Sequence, residues 1–484
     1  MKNFSKLPVY FCLLLLFSFS VIFLFPLDAG AESLQEVIQK AVLTDPDVQE
    51  KWHAFKAAGF EKEAAAGGAR PQLDLTAGAG RDSIDGSGYE DRDSSDYSYN
   101  GFSVTLRQMI YDGGLTRSQV KRLDHREMAR YYELMSSIES VSLEAMRAFE
   151  DVARYRKLNL LAEDNYHRHR EVMDLVEDRF SKGYDSRSSL EEIRGRLSVA
   201  KVNKLTEEAN LHDVSARYER IVGELPPAEL EIYRGEMDIP TCSDLALKKA
   251  LDMNPSLFAS RENVLSSQAA IEENKARLRP RIDLKGGYNS DHDRDGVDGR
   301  KDKWYGEIVL KYNLYDGGTR KARVKQYEQL EKQSMSRLQV KGRNIRQSLK
   351  VAYNDIEMLT EQLEYLKSHR SASDEVRKAY AQQFRIGRRS LIDLLDSENE
   401  YYQASRALLN AEFNIAISKG RVLASMGELA SFFNAATDDI PTLEELNIEG
   451  SRYDFGPSHD AMGENCFCPA EIPVEEIGEE KAQK

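Results

Sequence analysis

Four short segments of the chain alternate apolar and polar residues with a period of two. Leu73, Leu75, Ala77 and Ala79 alternate with Gln72, Asp74, Thr76 and Gly78. Phe102, Val104, Leu106 and Ile110 alternate with Ser103, Thr105 and Arg107, and Gln108 breaks the pattern. Ile282, Leu284 and Tyr288 oppose Asp283, Lys285 and Asn289, while Trp304, Ile308, Leu310, Tyr312 and Leu314 oppose Glu307, Lys311 and Asn313. Segments of about ten residues with one apolar and one polar face have the form of transmembrane β-strands. Aromatics near their ends (Tyr97, Tyr99, Tyr111, Tyr288, Trp304, Tyr305, Tyr315) suit membrane interfaces. Any half-buried sheet alternates as well. The charged face needs water, which either a wet lumen or a solvent-exposed sheet supplies.

The rest of the pattern is helical. Residues 33–68 and 244–278 are charged, Ala-rich and helix-forming, each interrupted by a Pro near its start (Pro46, Pro255). The segments 115–181 and 319–385 contain no Pro and almost no Gly. At 1.5 Å per residue each predicts a rod of roughly 100 Å, which no ordinary globular domain encloses. Further on, Leu394, Tyr401, Leu408 and Ile415 are spaced by seven, as are Leu395, Tyr402, Leu409 and Ala416. Leu190, Leu197, Leu211 and Tyr218 repeat the stripe, with Lys204 interrupting it. Sevenfold spacing predicts coiled-coil packing, either in a tube wall or in an antiparallel bundle.

These elements occur twice. Ala69-Arg70-Pro71-Gln72-Leu73-Asp74-Leu75 recurs as Leu278-Arg279-Pro280-Arg281-Ile282-Asp283-Leu284, an offset of 209. Tyr111-Asp112-Gly113-Gly114 recurs as Tyr315-Asp316-Gly317-Gly318, Phe180 and Gly183 as Phe384 and Gly387, and Gly223-Glu224-Leu225 as Gly427-Glu428-Leu429, all at an offset of 204. One unit of helix, strand, strand, long helix and helix is used twice. The division this predicts is residues 1–31 as a leader, 32–225 as the first repeat, 226–243 as a linker, 244–432 as the second repeat and 433–484 as an acidic, flexible tail, which the resemblance given below would put in the periplasm.

Composition sets the compartment. Lys2 and Lys6 precede an apolar stretch from Val9 to Leu27, and Ala29-Gly30-Ala31 supplies small residues for cleavage, so export is expected. The stretch is also long enough to act as an uncleaved anchor. The Pro at each end and the Ala-x-Ala site favour cleavage. Beyond it no apolar run reaches the ~18 residues of a spanning helix, so entry into a membrane requires strands. Loss of two Lys and one Asp with the leader takes the net charge from −14 to −15, which argues against nucleic acid. Cys242, Cys466 and Cys468 make no disulfide framework, and Cys466-Phe-Cys468 reads as a metal pair, a strained bridge or two incidental thiols.

Four strands leave two open edges, which lipid does not permit. Two copies would give an eight-stranded barrel filled by side chains, whereas three give twelve strands and a pore. The polar loops 82–96 and 290–303 read as outward hairpin loops. One carries Asp291, Asp293, Asp295 and Gly296, with Asp302 at the twelfth place. It is either a calcium loop without the flanking helices of an EF-hand or a plain solvated loop.

In this order, the duplication, the two Tyr-Asp-Gly-Gly turns and the segment from Phe384 through Gly387 and Arg389 to Asn399 resemble the TolC family of outer-membrane efflux and secretion proteins over nearly all of residues 32–432. The resemblance implies an α+β membrane protein. Its long antiparallel coiled-coil helices form an α-barrel, and four transmembrane strands per subunit build a twelve-stranded barrel in a homotrimer. It implies docking to a periplasmic adaptor and an inner-membrane transporter, and contact with outer-membrane lipid. By the same resemblance Asp393 and Asp396 match the aperture constriction and Phe384 and Arg389 its latch. Gly183 and Gly387 match the periplasmic tip turns. Asp112, Gly113, Gly114, Asp316, Gly317 and Gly318 form the strand-to-helix turns. Ser390 and Asp393 equally fit a helix N-cap with an acid in the first turn. Ser189 stands where the first repeat would match Asp393, so any closed-state network must differ there.

The sequence contains no His-x-x-x-His pair, phosphate loop or nucleophile elbow. His167 and His169 are expected to be solvated on a charged helix. No enzyme activity, cofactor or firm metal site is expected. The expected function is an exit duct for type I protein secretion, adhesins included, or for efflux. The competing reading is a periplasmic coiled-coil scaffold that never enters the membrane.

Overall fold

The computed structural model describes residues 32–83, 96–233, 235–294 and 299–435. The expected leader, the middle of both hairpin loops, Asp295, Cys466 and Cys468 lie outside the described residues.

The chain runs through one series of elements twice. Helices α1 (Leu34–Thr44) and α2 (Pro46–Gly67) lead into strands β2 (Gln72–Ser83) and β3 (Asp96–Tyr111), then α3 (Leu115–Ser181) and α4 (Arg187–Val222). The second series is α5 (Ser243–Met253), α6 (Pro255–Ala276), β5 (Arg281–His292), β6 (Arg300–Lys311), α7 (Thr319–Arg385) and α8 (Leu391–Met426). The helices of the two series match in length at 11, 22, 67 and 36 residues. A two-residue parallel pair, β1 (Glu32–Ser33) with β4 (Leu230–Glu231), and the short α9 (Leu429–Phe432) complete it.

The breaks between elements have local causes. Pro46 and Pro255 have no N–H to donate, so the helix before each stops and restarts with Pro in its first turn. Asp45 and Asn254 cap the new starts, accepting from Asp47 N at 2.7 Å and Leu257 N at 3.2 Å. The interruptions expected at Pro46 and Pro255 are present, and each divides its segment into a helix of 11 and one of 22 residues.

The four long strands form one antiparallel sheet in the order β2-β3-β5-β6. Its register keeps the alternation intact across every strand. Leu75 lies opposite Val104, Val104 opposite Tyr288, and Tyr288 opposite Trp304. On the other face Gln72, Arg107, Lys285 and Glu307 form a row, with Lys285 4.0 Å from Glu307. Gln108, the residue out of pattern, sits at the helical end of the apolar face and donates to the carbonyls of Ala69 and Met109, each at 2.9 Å. A bulge at Ile110 then shifts Tyr111 opposite Ile282. Tyr99 covers Gly80 and Tyr305 covers Gly287 directly across the ladder, filling the space a side chain would take. The fourth strand was expected to run to Leu314 but stops at Lys311. Among the described residues, 312–315 have no strand to pair with, whereas the equivalent end of β3 is paired to β5.

The helices lie side by side, and the main apolar cluster sits midway along them. Leu134, Met146 and Phe149 of α3, Tyr218 of α4, Leu349 of α7 and Met426 of α8 are fully buried there with the short helices α1, α5 and α9. Gly420 lets α8 approach α3, since a Cβ there would meet Met146 Sδ. Lys204, which interrupts the sevenfold stripe, reaches Glu163 on α3 at 2.7 Å. His169 is a correction: it is buried, and its Nδ1 lies 2.8 Å from the Asn165 carbonyl. Burial holds its pKa below the ordinary value, favouring the neutral ring. His167 is exposed, as expected. No described helix is long and apolar enough to cross a membrane.

Candidate functional site

Two regions carry the residues singled out in the sequence. The first is the junction of sheet and helix. Gly113 and Gly114 have φ of 73° and 86°, and Gly317 and Gly318 have 70° and 85°, the left-handed region that favours glycine. Asp112 accepts from Gly114 N at 3.0 Å and Thr116 N at 2.7 Å, satisfying the first N–H groups of α3. Burial pushes its carboxyl up, but the bonds from the Thr116 hydroxyl and from the Thr116, Gly114 and Leu115 N–H groups outweigh that and hold it below the ordinary range. Asp316 does the same for Gly318 N and Arg320 N, both at 3.1 Å. The two turns differ in surroundings. Arg279 donates to the Gly113 carbonyl at 2.8 Å, and a Cβ on Gly113 would lie 2.5 Å from Arg279 Cβ. Among the described residues nothing but its chain neighbours lies within 4 Å of where a Cβ on Gly317 would sit.

The second region is the far end of the helices. Gly183 and Gly387 end α3 and α7 in left-handed conformation, with Tyr184 N returning to the Arg179 carbonyl at 2.8 Å and Arg388 N to Gln383 at 2.9 Å. Ser186 and Ser390 then cap α4 and α8, each accepting at 3.2 Å from the residue three further on. Asp393 therefore occupies the first turn of α8, as the capping pattern required.

Phe384 is buried in a cluster made by both halves of the chain, with Val176, Leu190 and Ile193 from the first and Leu391, Leu394 and Leu395 from the second. The Arg179 guanidinium lies 5.2 Å above its ring. Arg389 stays within its own hairpin, 3.9 Å over Tyr380 and 3.7 Å from Asp393. Asp393 and Asp396 share a surface cavity of about 360 Å³ with Tyr380 and Glu400.

The polar link between the two hairpins comes from a residue the sequence reading passed over. Arg196 on α4 donates to Asp396 at 3.0 Å and lies 3.4 Å from Glu192 on its own helix. The signal was present in the duplication, which sets Arg196 against Glu400 and Glu192 against Asp396. One copy carries a base where the other carries an acid. Higher up, Arg406 of α8 reaches the buried Glu207 of α4 at 2.8 Å. Ser189 remains in its own cap, with Oγ 3.1 Å from Ser186 Oγ.

In the other candidate cluster the side chains are engaged separately. Asp291 pairs with Arg294 at 2.8 Å, Asp293 accepts from Gly299 N at 2.6 Å, and Asp302 accepts from Tyr288 OH at 2.9 Å. Among the described residues no group of three His, Cys, Asp or Glu is placed to hold a metal ion.

A family model described as outer membrane efflux protein matches residues 37–224 and 246–428. The outer membrane protein TolC of Escherichia coli (strain K12) is 23% identical over 421 residues, covering 82% of this chain and 83% of that protein. The proteases secretion protein PrtF of Dickeya chrysanthemi is 24% identical over 444 residues, covering 82% and 91%. The crystal structure of the Campylobacter jejuni CmeC outer membrane channel superposes with a TM-score of 0.71 at 14% identity, over 83% of this chain and 87% of that one.

Proposed function

Since the chain belongs to the outer membrane efflux protein family, we propose that three copies join their sheets into a twelve-stranded barrel and their helices into one tunnel. The chain is an outer-membrane channel protein with its helical body in the periplasm, and it is not an enzyme. The observation that carries the trimer is the sheet itself. It has an apolar face continuous over four strands, and its outer strands β2 and β6 have no second partner among the described residues. Lipid requires such edges to be closed, and twelve strands are the smallest multiple of four that leaves a lumen. A periplasmic scaffold would leave that apolar face unexplained.

The tunnel narrows at the tip, where Asp393 and Asp396 constrict it. Three copies place six carboxylates near the axis, a ring that favours cations. Arg196 offsets three of these charges, and Phe384 and Arg389 keep each hairpin closed. The turns at Gly183 and Gly387 receive a periplasmic adaptor, which couples the duct to an inner-membrane transporter. The cargo we favour is exported protein, the role named for PrtF, with small-molecule efflux as the other use of the same duct. Residues 1–31 act as a cleaved leader, and the stretch after 432 as a periplasmic tail.

Purified, detergent-extracted protein in a planar bilayer is expected to give discrete, cation-preferring openings. Protein that extracts without detergent and never inserts would sink this reading.

A further inference from the structure

A cavity of about 730 Å³ lies where the sheet meets the helices, between the starts of α3 and α7 and the end of α6. Six basic side chains line it: Arg277, Arg279, Arg281, Lys311, Arg320 and Arg323. Asp112 is the acid among its lining residues, and its carboxylate is occupied by Gly114 N and by the N–H and hydroxyl of Thr116. Glu273 pairs with Arg277 at 2.9 Å, Asp283 with Arg281 at 2.9 Å and Asp316 with Arg320 at 3.3 Å. Arg279 donates to the Gly113 carbonyl, and neither it nor Lys311 nor Arg323 has an acidic partner among the described residues. Three positive charges are left over.

The first repeat builds the same junction with far less charge. By the offsets of 209 and 204, Arg277, Arg281, Arg320 and Arg323 correspond to Gly68, Gln72, Thr116 and Gln119, and Arg279 and Lys311 to Arg70 and Arg107. The strand register sharpens the contrast. Gln72 lies directly opposite Arg107 in the first hairpin, whereas Arg281 lies directly opposite Lys311 in the second. Like charges facing each other across an antiparallel pair are destabilising, and Asp283 offsets Arg281 alone. The fold therefore does not need this charge, and an anion in the cavity would account for it.

Guanidinium and ammonium groups converging on one cavity suit a phosphate, which they hold by charge-assisted hydrogen bonds. The apolar part of the lining indicates what the phosphate is attached to. Leu310 and Tyr312 border the cavity and continue the exposed stripe of Ile308 on the apolar face of the sheet. Basic pockets beside membrane-spanning segments take anionic headgroups, and tyrosine favours the same depth. We infer that this cavity binds the phosphate of an anionic ligand through Lys311 and Arg323, and that the ligand is a phospholipid whose acyl chains run along Leu310 and Ile308. The inference rests on the reading of the apolar face as the one that meets lipid.

The test is ligand binding to the full-length protein in neutral detergent, read by native mass spectrometry and by the thermal midpoint. The probes are phosphatidylglycerol, phosphatidylcholine with the same chains, and inorganic phosphate. Phosphatidylglycerol is expected to bind about tenfold more tightly than phosphatidylcholine and to raise the midpoint. Lys311→Gln with Arg323→Gln is expected to lose that preference. Lys321→Gln with Lys325→Gln, which removes the same charge from exposed positions of α7 outside the cavity, is expected to keep it. Lys311→Gln gives Arg281 a glutamine partner, as Arg107 has in the first hairpin, so the double variant is expected to melt no lower than the parent without lipid. Inorganic phosphate that binds the parent but not this variant, with the two lipids binding alike, keeps the site and makes its occupant a soluble phosphate. Equal phosphatidylglycerol affinity in the parent and the Lys311–Arg323 variant, or an equal loss in the Lys321–Lys325 variant, overturns the site. Openings in the planar bilayer are read separately, so a channel that conducts without this preference loses the site and keeps the proposed function.

Discussion

Arg196 alters what the acidic residues at the tip are expected to do. An exposed pair such as Arg196–Asp396 contributes about 0.2–1 kcal/mol, too little to hold a fold but enough, three times over, to bias a gate. Arg196→Gln is therefore expected to raise single-channel conductance and strengthen cation preference, both read in the planar bilayer, while the thermal midpoint moves little. Asp393→Ala with Asp396→Ala is expected to raise conductance and weaken block by trivalent cations. Unchanged conductance and block in that double variant would remove the two carboxylates from the constriction. Glu139 belongs to a different balance. It is buried on α3 and accepts from Leu429 N at 3.1 Å and Ala430 N at 3.3 Å, the start of α9. Burial outweighs those bonds and pushes its pKa from 4.5 up to about 8. An acid raised on folding binds its proton more tightly when folded, so its stabilising effect is whole below pH ~4.5 and is lost as pH rises towards 8. Glu139→Gln keeps an acceptor and removes that loss. It is expected to melt above the parent protein at pH 8.5, with the gap closing by pH 4. Neither Arg196 nor Glu139 was found from the sequence, because both act across helices, where periodicity says nothing about partners. The capping role of Ser390 was found, because it is set by its neighbours along the chain.

At the level of single elements, the strand-to-helix turns separate two costs of replacing glycine. A side chain at Gly114 meets only Arg279 Nη1, at 3.9 Å, so Gly114→Ala costs about 1–2 kcal/mol for the left-handed backbone. Gly113→Ala adds a clash with Arg279 Cβ and the Ala276 carbonyl. It is expected to melt measurably below Gly114→Ala, and equal midpoints would mean that the turn rearranges freely. These turns, the four strands and both long helices were legible because each follows from a local rule: period two, absence of breakers, or glycine at positive φ. The early end of β6 was not legible, since a strand's length depends on the neighbour that pairs with it. His169 was misread for a related reason. Its own helix is charged, but the side chain is buried, and the sequence of one helix does not say which of its residues its neighbours will cover.

For the whole molecule, heat-modifiable, detergent-dependent trimers are expected in the outer-membrane fraction, and a protein recovered in the soluble periplasm would contradict them. The duplication was the most informative feature of the sequence because it appears as repeated words, independent of any packing. Its structural outcome, four pairs of helices equal in length to the residue, has a consequence of its own. Neighbouring rods in a closed wall must begin and end at the same heights, so the length of the duct is written twice in every chain and, in the proposed trimer, six times. A seven-residue insertion in α3 alone would leave alternating long and short staves, whereas the same insertion made in α3, α4, α7 and α8 together would give a taller cylinder with its rim intact. The reach of the duct across the space it bridges is thus inherited as one quantity, adjustable only when both halves of the gene change in step.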